Sequence, residues 1–169
     1  VVIIGMRKDQ YGAFTYPEDR PDSAKTVGET LYDLMAENKW NGAKRWAAQA
    51  DRIAPTLVGG SKKHGGPDLG PTRARKAWAE LGVDGRGIAD TAPAPGFEGM
   101  PRLTSRMMAR IQGFPDTWTF GSRKTVACRM IGNAFPPPVA KAVGEQIKEC
   151  LAHGCADSQS KISLSRAVV

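Results

Sequence analysis

Apolar residues recur along this chain at helical and strand-like spacings, and the breaks between them outline its elements. The first residues, Val1-Val2-Ile3-Ile4-Gly5, are a continuous apolar run of the kind found in a buried strand, with Arg7, Lys8 and Asp9 at its exit. Residues 10–25 are rich in Pro, Asp and Gly and predict a loop. Thr26 and Glu29 have the spacing of a capping box, and Leu31, Leu34 and Met35 continue a helical apolar face that ends by Asn38. Ala43 to Ile53 predicts a second helix, with Trp46, Ala47, Ala50 and Ile53 on one side, and Ala54 to Val58 a short strand. Pro71 and Thr72 start a third helix, apolar at Ala74, Ala77, Trp78 and Leu81 and stopped by Gly82.

Residues 84–100 again predict a loop, after which Thr104 caps a helix ending at Gly113. Phe114, Trp118 and Phe120 form an aromatic anchor behind it. Gly132-Asn133 reads as a turn dipeptide. Pro136 to Pro138 lack N–H donors and suit an extended run closing on the first turn of a helix. In that helix Val139, Val143, Ile147 and Leu151 recur every four residues, Lys141 and Glu145 form an i,i+4 pair off the stripe, and Gly154 suits the stop. Residues 155–169 are polar without a period and predict a frayed tail.

Size and charge narrow what such a chain can be. Its 169 residues are about one domain's worth. No apolar run approaches the roughly twenty residues that span a bilayer, so no membrane association is expected. A chain that opens on a strand-like Val1–Ile4 is expected to be a piece of a longer protein, or one subunit of a pair. The net charge of +7 is unevenly spread. Residues 1–58 carry eight charges of each sign, residues 59–86 six basic and three acidic (+3), and residues 102–129 six basic and one acidic (+5). Two basic segments suit a phosphate backbone, although a solvated charged face has the same composition. Cys128, Cys150 and Cys155 are odd in number and contain no CxxC, which fits a reducing cytoplasm rather than a disulfide framework. Cys150, His153 and Cys155 lack a fourth ligand, so no metal site is assigned.

Gly59 to Asp68 is a glycine-rich basic loop, but no Gly-Lys-Ser/Thr and no G-x-G-x-x-G after a strand occurs, which removes both common nucleotide-binding motifs. Ser61, Lys62, Lys63 and His64 are donors there and Asp68 an acceptor. Such a loop either moves on the surface or presses into a DNA groove, with basic side chains on phosphates and polar ones on base edges. Arg73, Arg75 and Lys76 project from the first turns of the third helix.

Pro101-Arg102-Leu103-Thr104-Ser105-Arg106, then Ala109-Arg110-Ile111-Gln112-Gly113-Phe114-Pro115-Asp116 and Trp118, precede Ile131-Gly132-Asn133-Ala134-Phe135-Pro136-Pro137. Together these stretches resemble the last two signature blocks of the DNA cytosine-5 methyltransferases, in order and near the usual spacing. The resemblance implies an α/β fold: the C-terminal portion of a Rossmann-like, S-adenosylmethionine-dependent methyltransferase, contributing an edge strand and a closing helix, with a small irregular α+β DNA-recognition domain between. It divides the chain into 1–25 (strand end and linker), 26–129 (target recognition and the ninth block), 130–154 (closing turn and helix) and 155–169 (tail). By the same resemblance Asn133 and Ala134 line the S-adenosyl-L-methionine pocket. Thr56-Leu57 matches a dipeptide of the recognition region, where Ser61, Lys62, Lys63, His64, Asp68, Arg73, Arg75 and Arg102 are expected to meet double-stranded DNA. A cytoplasmic, nucleoid-associated bacterial enzyme of a restriction–modification system is implied.

The family's reaction is thiolate attack on C6 of an extruded cytosine, methyl transfer to C5 and loss of the C5 proton; extrusion is needed because the ring is unreachable inside the stack. Its Cys after Pro, its Glu in an Asn-Val context and its glycine-rich cofactor loop do not occur here, so no residue of this chain is assigned as catalytic. The chemistry is expected from a missing N-terminal half or a partner subunit. One position departs from the pattern: Met107 stands where the family has Glu, three residues after the capping Thr, a loss of about 1 kcal/mol if nothing compensates. A DNA-binding module without a methylation role, and an interaction protein whose basic face meets an acidic partner, are the alternatives.

Overall fold

A computed structural model describes residues 2–7, 14–18, 24–58, 67–121 and 123–166, with side chains as far as residue 152. Among the described residues six helices follow one another: α1 (Val27–Ala36), α2 (Ala43–Gln49), α3 (Thr72–Glu80), α4 (Ser105–Ile111), α5 (Lys124–Asn133) and α6 (Pro137–Arg166). The chain divides into two compact units, residues 1–20 with 138–169, and residues 21–137; the expected recognition span 26–129 lies within the second. No described helix is long and apolar enough to cross a membrane.

The larger unit is built on α1. Thr26 caps it through a complete capping box, its hydroxyl accepting from the Glu29 N–H while the Glu29 carboxylate accepts from the Thr26 N–H at 2.8 Å. The next two N–H groups, of Val27 and Gly28, donate to the Arg52 and Ala50 carbonyls at 2.9 Å each. The start of α1 is therefore sewn to the chain leaving α2. Gly28 makes this possible, because a Cβ there would stand 2.1 Å from the Ala47 carbonyl oxygen. Val27, Leu31 and Met35 then turn a continuous apolar face into a core shared with Trp46, Leu69, Trp78, Leu103, Met107, Met108 and Ile131. α1 packs on α2 and α4, and α4 packs on α5.

α3 and α4 end alike. Gly82 (φ +68°) and Gly113 (φ +84°) take the left-handed conformation after each helix. The N–H of Val83 reaches the Trp78 carbonyl and that of Phe114 the Ala109 carbonyl, each at 3.0 Å, while the glycine N–H groups bond to Ala79 and Arg110. Both are Schellman ends, with the stop residues the sequence indicates.

Several expected elements differ. Residues 2–5 form no strand and Ile3 is exposed; a strand needs a ladder, and no described segment offers one. Residues 54–58 are likewise irregular, although Leu57 is buried in the core. Among the described residues the strand-like pairing is a lone parallel bridge between Ala89 and Thr104. α2 stops at Gln49, leaving Ile53 exposed beyond it. α5 is an unexpected helix that absorbs Gly132 and Asn133, so this dipeptide closes a helix rather than forming a free turn. α6 does not stop at Gly154 but continues to Arg166 through the stretch expected to fray.

In the smaller unit the Thr15 hydroxyl donates to the Gln146 amide oxygen of α6 at 2.9 Å. The four-residue stripe of α6 drifts: Val143 and Ile147 are half-buried, Cys150 is buried, and Val139 and Leu151 are exposed. Each four-residue step over-rotates by about 40° on a 3.6-residue helix, enough to carry the ends of the stripe off its centre.

The tie between α1 and α4 is a guanidinium. Arg110 Nη1 donates to Asp33 and, at 3.3 Å, to the Thr30 carbonyl, while Nε bonds to Asp116 Oδ1 at 3.0 Å and Nη2 to Oδ2. This fork-on-carboxylate geometry with Asp116 is bidentate. Hydrogen bonding to Arg110 holds the Asp33 and Asp116 carboxyls below their ordinary value, and raises the guanidinium in return.

Two outcomes follow for stability. Gly28→Ala drives a methyl into the Ala47 backbone and is expected to destabilise the chain by about 2–3 kcal/mol, read from the urea midpoint. Arg110→Ala is expected to remove about 2 kcal/mol, the solvent access of both carboxylates keeping it below a fully buried cluster. Because Asp33 and Asp116 titrate lower folded than unfolded, their contribution is full above about pH 4 and is lost as pH falls through the lowered folded values. Acid unfolding of the wild type and Arg110→Ala should therefore converge at low pH; curves that stay parallel would refute the assignment.

Candidate nucleic-acid interface

The two signature-like stretches meet through α4. Its first turn is capped by Thr104, whose hydroxyl accepts from the Met107 N–H at 3.2 Å. The reciprocal bond expected to be lost is instead made by sulfur: the Thr104 N–H points at Met107 Sδ, 3.4 Å away. Met107 is buried, and a thioether, a weak acceptor without charge, can sit there where a carboxylate would have to shed its water. The helix is thus capped on both sides despite the departure from Glu.

At the other end of α4 the Gln112 side-chain amide donates to the Ile131 carbonyl at 2.9 Å and to the Ala134 carbonyl at 3.4 Å. These are carbonyls left open at the end of α5, and the Ala134 N–H turns back to Ile131 at 3.2 Å. Ser105 Oγ and Cys128 Sγ, 3.7 Å apart, join α4 to α5 a second time, and Lys124 pairs with Asp90 at 2.8 Å. Burial pushes the Cys128 thiol up, so it is a packing group rather than a thiolate. Asn133 is exposed at the last position of α5, Ala134 is half-buried in extended conformation, and among the described residues the Asn133 amide makes no hydrogen bond.

The residues expected to meet DNA fall into three groups. Ser61, Lys62, Lys63 and His64 lie outside the described residues. Arg75 and Arg102 lie against residues 84–87, and Asp68 sits next to Leu69, which bonds to them. Asp68 closes a turn by accepting the Gly70 N–H at 3.0 Å, and the Leu69 N–H donates to the Gly85 carbonyl. A Cβ on Gly85 would meet Arg75 Cγ at 3.1 Å, so the arginine stem lies over that glycine. Arg102 Nε bonds to Asp84 Oδ2 at 2.9 Å, and a Cβ on Gly87 would meet its Nη1. Burial pushes the Asp84 carboxyl up, but the Arg86 N–H and Arg102 outweigh it, leaving the carboxyl below its usual value.

The third group is split by exposure. Arg73 and Thr56 face solvent, while Leu57 beside Thr56 is a core side chain and cannot touch a base edge. One residue that sequence reasoning left out of the site sits beside it. Arg86 is exposed in the turn that gathers Arg75 and Arg102, and its signal was the Asp84-Gly85-Arg86-Gly87 run itself. Arg110 and Gln112, which the resemblance sets in the ninth block as organising residues, tie α4 to α1 and to the end of α5 respectively.

Residues 1–149 match the model of the C-5 cytosine-specific DNA methylase family. The Type II methyltransferase M.NaeI of Lentzea aerocolonigenes is 58% identical over 153 residues, covering 89% of this chain and 37% of that protein. The Type II methyltransferase M.NgoMIV of Neisseria gonorrhoeae is 47% identical over 154 residues, 89% of this chain and 48% of its own. The mouse DNA (cytosine-5)-methyltransferase 1 shares 47% identity over 58 residues, 34% of this chain and 4% of that protein. The chain therefore spans less than half the length of these relatives. With its matched span and its paired signature stretches, the chain belongs to the C-5 cytosine-specific DNA methylase family.

Proposed function

We propose that this chain is the DNA-recognition and cofactor-pocket-completing part of a DNA (cytosine-5)-methyltransferase of the restriction–modification type. In that reading α6 and residues 1–7 belong to the Rossmann-like S-adenosylmethionine domain, and the loops around α3 form the recognition surface. The Cys nucleophile and the activating Glu are supplied by sequence outside this chain, in the same polypeptide or a partner. The observation that carries the proposal is the Gln112 amide, which fastens the end of α5, and with it Asn133, to the helix of the preceding block.

S-Adenosylmethionine supplies an electrophilic methyl group when bound. The residues present suit one wall of its pocket: Asn133 offers an exposed side-chain amide not committed to any described partner, and Ala134 an extended backbone next to it. Gln112 holds that backbone. On the DNA side, Arg73 and Arg86 offer exposed cations, while Arg102 is oriented by Asp84 and so presents a fixed guanidinium. The Gly59–Gly66 stretch with Lys62 and Lys63 adds the basic loop expected to enter a groove.

The direct test is a full-length hybrid, M.NaeI with its matched segment replaced by this chain, given labelled S-adenosylmethionine and unmethylated duplex DNA. Label in 5-methylcytosine is expected; a folded hybrid that binds DNA yet labels no duplex would favour a non-catalytic DNA anchor. In the same hybrid, Asn133→Ala should weaken S-adenosylmethionine binding by about 5–10-fold, the worth of one hydrogen bond, with DNA affinity unchanged.

Duplex binding by this chain should fall linearly in log affinity with log salt. Lys62→Ala with Lys63→Ala should weaken it and flatten the slope by about two, and Arg73→Ala by about one, without altering the melting temperature. Arg102→Ala should lower both affinity and melting temperature, because it strands Asp84. A slope that none of these variants moves would point to an acidic protein partner instead.

A further inference from the structure

Residues 94–100 are exposed without a break, seven in a row, yet their backbone is held in place. Buried Trp40 donates its Nε1–H to the Phe97 carbonyl at 2.8 Å and meets the Phe97 ring edge-on, centroids 5.8 Å apart. The Asn41 N–H reaches the Pro95 carbonyl at 3.3 Å, the Asn38 side-chain amide the Ala92 carbonyl at 2.9 Å, and the Phe97 N–H closes a turn on Ala94 at 3.0 Å. Gly42 leaves room for the indole, since a Cβ there would stand 2.6 Å from its ring. Elsewhere the loop is bare: a Cβ on Gly96 or on Gly99 would meet nothing within 4 Å. An exposed loop already fixed in this way gives up little freedom when it meets a partner.

The charges around it indicate which partner. Residues 39–45, to which the loop is tied, carry Lys39, Lys44 and Arg45 and no acid, a local +3 inside a stretch that is neutral overall. All three are exposed, and none makes an ion pair among the described residues. At the other end Met100 leads into Pro101, whose carbonyl takes the Asp84 N–H at 2.9 Å, so the loop leaves beside the turn that carries Arg86 and Arg102. Glu98 is the single charge within the loop, and it too is exposed and unpaired among the described residues. It lines one groove of about 610 Å³ together with Arg45, and the two do not bond to each other.

We propose that residues 94–100 enter the major groove of the bound duplex and that the Glu98 carboxylate accepts from the N4 amine of a cytosine in the stack, which makes Glu98 a specificity-determining residue. The inference rests on the function proposed above, which supplies the duplex. A carboxylate facing only phosphates is repelled, so a lone acid among unpaired cations suits a duplex where it meets a donor on a base edge. The cations on either flank take phosphates and set the register, and the acid reads. Cytosine is the base that fits. Guanine and thymine present acceptors in the major groove, and adenine sets its N7 acceptor beside its amine, so a carboxylate rejects all three as well as attracting the fourth.

The test selects randomised duplexes by binding to the M.NaeI hybrid and sequences the enriched sites. Glu98→Gln keeps the shape of an exposed, unpaired side chain, so the melting temperature should not change. The wild-type hybrid is expected to demand cytosine at one position where the Glu98→Gln hybrid accepts other bases, discrimination falling about 10- to 100-fold at that position alone. Lys44→Ala with Arg45→Ala should instead weaken every duplex alike and flatten the salt slope by about two. A Glu98→Gln hybrid that keeps the wild-type consensus, or that weakens on all sequences without losing a preference, would overturn the proposal. So would a salt slope that Lys44→Ala with Arg45→Ala leaves unmoved, which would hand the loop to a protein partner. A hybrid whose consensus shifts as expected but which transfers no methyl group would defeat the functional reading and leave Glu98 its role; an active hybrid with an unshifted consensus would do the reverse.

Discussion

Everything in the larger unit depends on where α4 is held, and Arg110 holds it. One guanidinium reaches an acid and a carbonyl of α1 on one side and clamps Asp116, in the loop after α4, on the other. α1 is itself immobilised by the chain leaving α2, whose carbonyls take the first N–H groups of the helix. Helices this short have little stability of their own, so their positions come from such tertiary ties and from the shared core. A lysine at position 110 could not serve, because a single ammonium offers no planar fork for the carboxylate of Asp116 while also reaching α1.

From α4 the constraint passes outward in two directions. Towards α5, Gln112 and Ser105 fix a helix whose last residue is Asn133. Towards the basic surface, Leu103 is buried and its carbonyl takes the Ala89 N–H, and Arg102 beside it grips Asp84. Residues 84–87 then collect Leu69, Arg75 and Arg102 around two glycines. A single short helix thereby positions both the turn at residues 84–87 and the end of α5 that carries Asn133.

Legibility in the sequence followed locality. The Thr26–Glu29 box, the Thr104 cap and the glycine stops at 82 and 113 are decided by residues within one turn of each other, and all four appear as expected. Val1–Ile4 and Ala54–Val58 have the composition of strands, but pairing is a property of two segments, and here the second is absent among the described residues. α5 was hidden for the opposite reason. Ala127, Cys128 and Ile131 do mark a buried face, yet the conspicuous Gly132-Asn133 drew the reading towards a turn, although a dipeptide that starts a turn elsewhere can equally close a helix. At the site, Arg102, Asn133 and Ala134 stood in recognisable stretches, whereas the role of Leu57 depended on which way a single side chain turned, and Arg86 on a loop closing around it.

The sulfur at the start of α4 sets the two ends of that helix apart chemically. A thioether neither gains nor loses a proton in water, so the bonds of Thr104 with Met107 are indifferent to acidity. Oxidation is what such a group does respond to, since a sulfoxide is bulkier and far more polar than the atom it replaces. Burial shields Met107 from this as long as the core around it stays shut. The beginning of α4 is thus guarded by packing and its end by charge, and any peroxide damage at this cap would record that the core had opened first.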